Sequence, residues 1–219
     1  MQVPLLIRAP WAAAASAGKH TQTYTELIDL YRTVASLAGI PRSALQKDVD
    51  GDDVSALLAD PTQQLKDEAY AQYSRCPGKR FWPKVTTGEP DWWYNNCEAV
   101  PAKNITSMGY SVRTSAWRFT EWYAWDGARC VARFDAAPIG TELYSHAGQK
   151  PYPLDFNAWE NVNVADDPAN ADAVKGLRAK LFARFNTGAD LGCPPPLHKG
   201  QSFAALEDGP DIVNLPVLT

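Results

Sequence analysis

Two neighbouring stretches constrain the fold of this chain more than anything else in it. Residues 108–114 (MGYSVRT) and 117–125 (WRFTEWYAW) are rich in aromatic and β-branched side chains, and only Ser115 and Ala116 separate them. Strand-forming runs so close together predict an antiparallel hairpin. Residues 69–74 (AYAQYS) alternate like a further strand, and residues 142–146 (ELYSH) read as a short strand running into a polar loop. A hairpin alone is marginal in water and needs more strands or a helix to cover one face. The cover is predicted at residues 169–185 (ANADAVKGLRAKLFARF). There Val174, Leu177, Leu181 and Phe185 share one side, and Lys and Arg gather toward the C-terminal half, where the helix dipole favours them.

The first third of the chain has a different character. Residues 3–7 (VPLLI) have the composition of a strand buried on both faces, the kind found in parallel sheets. Residues 23–39 predict a helix. Thr23 and Glu26 fit a capping box, Leu27, Leu30, Tyr31, Val34 and Leu37 form an apolar stripe, and Gly39 before Pro41 is the stop. Asp50-Gly51-Asp52-Asp53 reads as a tight turn. A calcium loop of the EF-hand type would need Gly at its sixth position and Glu at its twelfth, and neither fits. Residues 75–107 carry Pro, Gly, Asn and aromatics without a period, as a long functional loop would.

Composition narrows the function classes. With 219 residues and a net charge of −4, the chain is large enough for a real core and poorly suited to nucleic acid, which needs clustered Lys and Arg. The densest basic cluster, Arg75, Lys79, Arg80 and Lys84, suits a small anion better than a duplex. The many Trp and Tyr crowd between residues 81 and 125, as a large aromatic core in preference to a sugar-stacking surface. No apolar stretch approaches the about 20 residues that span a bilayer, and the N-terminus lacks the basic region of a signal peptide. Cys76, Cys97, Cys130 and Cys193 show no metal-type spacing and allow three pairings. Their even number, with the sequon at Asn104, leans toward a secretory compartment and a glycan at Asn104.

No catalytic constellation assembles from these residues. The three histidines, His20, His146 and His198, are far apart in sequence, and none has a His or Cys at ligand spacing. His146 at a strand end is read as a structural hydrogen-bonding residue. Asp166 and Asp167 before Pro168 are read as a helix lead-in.

Taken in order, however, VPLLIRAPW, TELIDLYRTVASLAGI, DGDDVSALL, AYAQYSR, MGYSVRTSAWRFTEW and GTELYSHAG with NAWENVNVADDP resemble the C-terminal half of sulfatases, the iduronate-2-sulfatase group in particular, over residues 3–186. The resemblance implies an α/β chain with a partial alkaline-phosphatase-like fold, whose C-terminal subdomain is a small antiparallel sheet packed by a helix. Residues 1–60 would be a remnant strand and helix of the large α/β domain. Residues 61–186 would be the C-terminal subdomain and 187–219 an irregular tail with Pro and Gly. On this view the strand at residues 3–7 has lost its neighbours and should show exposed edges or faces.

The resemblance also implies a sulfuric ester hydrolase acting on sulfated glycosaminoglycan in lysosomes or outside the cell. Its nucleophile is a formylglycine made from the Cys of a C-x-P-x-R motif, and a calcium ion held by Asp and Asn polarises the sulfate. Those groups lie in the N-terminal half of the family. No catalytic residue, metal ligand or cofactor is therefore expected in this chain, which is read as a truncated or split enzyme, inactive alone. Cys76-Pro77-Gly78-Lys79-Arg80 echoes the motif with its Pro at the wrong offset and is set aside. The loop after AYAQYSR leans over the substrate pocket in the family. Arg75, Lys79, Arg80, Trp82 and Lys84 are thus candidates for contacting an acidic sugar, with solvated loop charges as the alternative. Arg113 is expected to fix the hairpin. The expected partners are a sulfated sugar and an N-terminal sulfatase half, with neither nucleic acid nor membrane. A stand-alone carbohydrate-binding or interaction module derived from a sulfatase is the alternative function.

Overall fold

The computed structural model describes residues 3–11, 16–47, 49–76, 97, 101–148, 160–186 and 193. Strands β1 (Ala69–Arg75), β2 (Ser107–Arg113) and β3 (Trp117–Asp126) lie side by side. The far edge of β3 is shared by β4 (Val131–Ala132) and β5 (Gly140–Ser145), and every pairing is antiparallel. The hairpin predicted at residues 108–125 is present, with Arg113 opposite Arg118 and Gly109 opposite Trp122.

Alternation divides the sheet into two unlike faces. Val112, Phe119, Tyr123 and Leu143 turn inward and are essentially fully buried. Helix α2 (Ala171–Phe185) covers them with Leu177 and Leu181, joined by the rings of Phe182 and Phe185. Ring contacts knit this layer, Tyr110 to Phe185 at 4.6 Å and Tyr123 to Phe134 at 4.8 Å. Burial of each such side chain contributes about 1.5–3 kcal/mol, so this layer holds the subdomain together. Asp167 prepares the helix, its Oδ1 accepting from the Ala169 amide at 2.9 Å ahead of Pro168 in the first turn.

One inward position is charged. Glu121 is completely buried, and its carboxylate accepts from Arg178 Nε of α2 at 2.8 Å and from the Tyr123 hydroxyl at 2.8 Å. Burial and the facing Glu121 carboxylate push the Tyr123 hydroxyl well above the ordinary tyrosine range. The guanidinium of Arg178 thereby pins helix to sheet.

The N-terminal third corrects three expectations. Residues 3–7 form no strand, although Val3, Leu5, Leu6 and Ile7 are exposed, as expected of a segment without neighbours. An apolar run alone does not make a strand when no edge is offered to it. The helix is shorter than predicted, α1 (Asp29–Leu37), and lacks the capping box. Tertiary partners have taken both capping residues. Thr23 Oγ1 accepts the amides of Leu65 and Lys66 at 3.0 and 2.9 Å, and Glu26 meets Lys66 Nζ and the Tyr70 amide. Gly39, at φ +72°, does end the helix.

Helix α1 also lies the other way up. Leu27, Tyr31 and Val34 of the apolar stripe are 64%, 53% and 61% exposed, while Asp29, Thr33 and Ala35 face inward. The turn at Gly51 decides this orientation. Asp52 N donates to Asp29 Oδ1 at 2.8 Å, and Val54 N donates to Thr33 Oγ1 at 3.1 Å. At φ +87° Gly51 packs so close that an added Cβ would sit 2.3 Å from the Ile28 carbonyl oxygen. The Val34→Ser substitution is therefore expected to change stability by less than about 0.5 kcal/mol. A denaturant midpoint lowered as for a core position would show that Val34 is covered.

Candidate functional site

The outward face of the sheet carries the one sequence-nominated sugar contact that falls within the described residues. Strand alternation places Tyr73 and Arg75 of β1, Gly109 of β2, Trp122 of β3 and Gly140 and Glu142 of β5 on this side. Tyr73, Gly109, Trp122 and Gly140 form a continuous row across four strands. Trp122 lies in that row between two glycines. A Cβ on Gly109 would lie 2.8, 2.8 and 2.9 Å from Cε3, Cζ3 and Cη2 of the indole. Three near-equal distances mean that the ring faces the Gly109 backbone and lies flat along the sheet. Its Nε1 donates to Glu142 Oε1 at 2.8 Å, and the Tyr144 hydroxyl donates to Glu142 Oε2 at 3.1 Å.

Arg75 closes the arrangement. Its guanidinium carbon stands 4.9 Å from the Trp122 ring centre and 5.2 Å from that of Tyr73, within the range of cation–π attraction. Its backbone carbonyl accepts both the amide and the hydroxyl of Thr106, at 2.9 and 3.0 Å. Lys79, Arg80, Trp82 and Lys84 lie outside the described residues. Asn104 sits at the end of a single 3-10 turn, Ala102–Asn104, immediately before β2.

Cys76, next to Arg75, is bonded to Cys97, and Cys130 to Cys193, which selects one of the three possible pairings. Cys76 is thus a structural cysteine, in line with setting aside the C-x-P-x-R echo. Among the described residues no cluster of three or more His, Cys, Asp or Glu is placed to hold a metal ion.

Arg113 is half-buried, its Nη1 donates to the Trp117 carbonyl at 3.5 Å, and it stands over Tyr24, the hairpin-fixing position expected of it. His146 is 5% exposed, with Nε2 3.0 Å from Glu160 Oε1, and Arg118 also pairs with Glu160. This is the structural role read for His146. Sequence reasoning missed Tyr73, Gly109, Trp122 and Glu142. The signal was present: a hairpin register that pairs residue 113 with 118 puts residue 109 opposite 122, a Gly beneath a Trp.

A concavity of about 560 Å³ lies elsewhere, between α1, β1 and α2, and is lined by Glu26, Arg32, Asp52, Lys66, Lys180 and Arg184, among others. Its charges are largely spoken for. Lys66 contacts Glu26, Asp29 and Asp52, and Lys180 pairs with Glu68. Burial alone would lower the Lys66 pKa, but the Glu26 and Asp29 carboxylates outweigh it and hold the ammonium above its ordinary 10.5. We read this concavity as a structural junction.

The carboxylates around these junctions set the acid limit of the fold. Burial alone would raise Glu160, but Arg118 and His146 outweigh it, and Lys180 and Tyr70 do the same for Glu68, so both lie below their ordinary 4.5. A depressed folded pKa gives stability that is complete above the unfolded value and is lost as pH falls through the folded one. Unfolding midpoints are expected to hold at neutral pH and to decline below about pH 4.5. A midpoint flat down to about pH 3 would contradict these pairings.

The ordered motifs resemble those of sulfatases, and the sequence comparison points the same way. Among curated proteins the sequence is similar to iduronate 2-sulfatase of Mus musculus, 28% identical over an alignment of 182 residues that covers 74% of this chain and 28% of that protein. This chain therefore spans little more than a quarter of the length of that relative. No protein-family model matches it. Among solved structures, a putative sulfatase from Bacteroides thetaiotaomicron overlaps 74% of this chain and 25% of its own, with a TM-score of 0.44 and 18% identity. A 2-O GAG sulfatase overlaps 78% of this chain and 30% of its own, with a TM-score of 0.42 and 18% identity.

Proposed function

We propose that this chain is the C-terminal, substrate-pocket part of an iduronate-2-sulfatase-like sulfuric ester hydrolase acting on sulfated glycosaminoglycan. The observation that carries this reading is the likeness to iduronate 2-sulfatase, 28% identical over an alignment of 182 residues, beside an order of motifs that resembles the same family. On this reading the nucleophile and the calcium ligands come from outside these 219 residues, and the chain supplies the face that receives the sugar. Two disulfides suit the oxidising route to a lysosome or the exterior. The open apolar stripe of α1 with exposed Leu5, Leu6 and Trp11 supports it too, since a self-sufficient module would be expected to cover such surface.

The full chain should bind a 2-O-sulfated heparin disaccharide yet release no sulfate or fluorophore from 4-methylumbelliferyl iduronide 2-sulfate. Turnover by the chain alone would overturn the placement of the catalytic groups elsewhere. Absence of disaccharide binding would overturn the substrate class.

A further inference from the structure

The Arg75 guanidinium differs from the other well-placed cations of this fold. Lys66, Arg118, Arg178 and Lys180 each meet a carboxylate. Among the described residues Arg75 meets none, and its contacts are the faces of Trp122 and Tyr73. Glu142, the acid on the same patch, has both oxygens engaged, by the Trp122 indole and the Tyr144 hydroxyl. A guanidinium held over ring faces spends none of its N–H donors on a carboxylate, and on an exposed side chain they stay open to a bidentate oxyanion. Stacking also removes much of the rotamer freedom that binding would otherwise have to quench. The stack in turn depends on Gly109, because the indole lies where a Cβ would be.

We propose that Arg75 is an anion-binding subsite for the sulfate or carboxylate of an acidic sugar, and that Trp122 and Gly109 are the positioning residues that hold its fork. The ligand class rests on the function proposed above. The fork itself rests on the stack alone. Trp122 serves as a platform for the arginine rather than as a free stacking face, and Tyr73, 49% exposed, offers the flank beside it.

The test is a titration of the full chain, followed by 15N–1H NMR, with inorganic sulfate, a 2-O-sulfated heparin disaccharide and its desulfated counterpart. The Trp122 indole N–H is assigned by its loss in Trp122→Phe. The sulfated disaccharide should shift that signal, and Arg75→Gln should weaken binding about tenfold or more. Arg75→Lys, which keeps the charge without the fork, should recover only part of the loss. Gly109→Ala should weaken binding several-fold with Arg75 intact. Loss of the effect with the desulfated sugar assigns the fork to sulfate, and its persistence assigns it to carboxylate.

Unchanged affinity in Arg75→Gln with a still indole signal would overturn the subsite while leaving the sugar-binding reading in place. Sulfate binding at Arg75 with no gain from the sugar would overturn the substrate class and leave the subsite. Failure of every probe to bind the wild-type chain would overturn both. Arg75 is exposed, so its variants fold whether or not Gly109→Ala does.

Discussion

Replacement of Asp29 by alanine is expected to destabilise the chain by about 3–5 kcal/mol, the range for removing one partner of a buried ionic network. The Asp29 side chain has no solvent exposure. Its two oxygens accept the amides of Glu26 and Asp52, at 2.7 and 2.8 Å, and both lie within 3.1 Å of Lys66 Nζ. Alanine would orphan two backbone donors and strip a half-buried ammonium of one counter-charge. Asp29→Asn, which keeps the shape and one acceptor, should fall between alanine and wild type. Linkage supplies an independent sign. The raised pKa of Lys66 gives stability that is fully present below its ordinary 10.5 and is lost as pH rises through the folded value. That alkaline increment should shrink in Asp29→Ala. Chemical denaturation and exchange of the Asp52 amide would measure both effects, and a loss under about 1 kcal/mol would remove Asp29 from the centre of this junction.

The second large effect is expected at Arg178. Its removal as Arg178→Ala leaves the Glu121 carboxylate, wholly buried, with the Tyr123 hydroxyl as its remaining bonded partner. The expected cost is about 3 kcal/mol, toward the lower end for such pairs because the Arg178 side chain is 40% exposed and water can enter. A double replacement, Glu121→Leu with Arg178→Met, should recover most of the loss, since an apolar pair needs no desolvation. If the double variant is as unstable as Arg178→Ala, the pair contributes through shape rather than charge. Urea midpoints of the three proteins would decide.

Much of this fold was readable before the structure, for a specific reason. The sheet and α2 bury one face each, so their residues alternate or recur with a period that the sequence shows directly, as in WRFTEWYAW and in Val174, Leu177, Leu181 and Phe185. The orientation of α1 was not readable. Its inward side is chosen by Asp29 and Thr33, whose partners, Glu26 aside, lie at residues 52, 54 and 66. Hydrogen bonds to remote amides leave no period, whereas the apolar stripe does, and three of its five residues, Leu27, Tyr31 and Val34, face outward. Residues 3–7 failed for a related reason: strand composition says nothing about whether an edge is at hand. Within the candidate site Arg75 was nominated by its basic neighbourhood and by the loop that the family resemblance places over the pocket. Trp122 and Gly109 were overlooked because their meaning appears only when two strands are set in register.

Thr106 stands at an awkward crossing of two chemistries. As the third residue of the sequon it is one of the two positions whose replacement would test for a glycan at Asn104. Its amide and hydroxyl also clasp the Arg75 carbonyl, so Thr106→Ala would slacken the strand end that carries the guanidinium. A drop in sugar affinity after that substitution would not tell the loss of a sequon from a displaced arginine. Asn104→Gln separates the two, because it abolishes the attachment point and leaves the clasp closed.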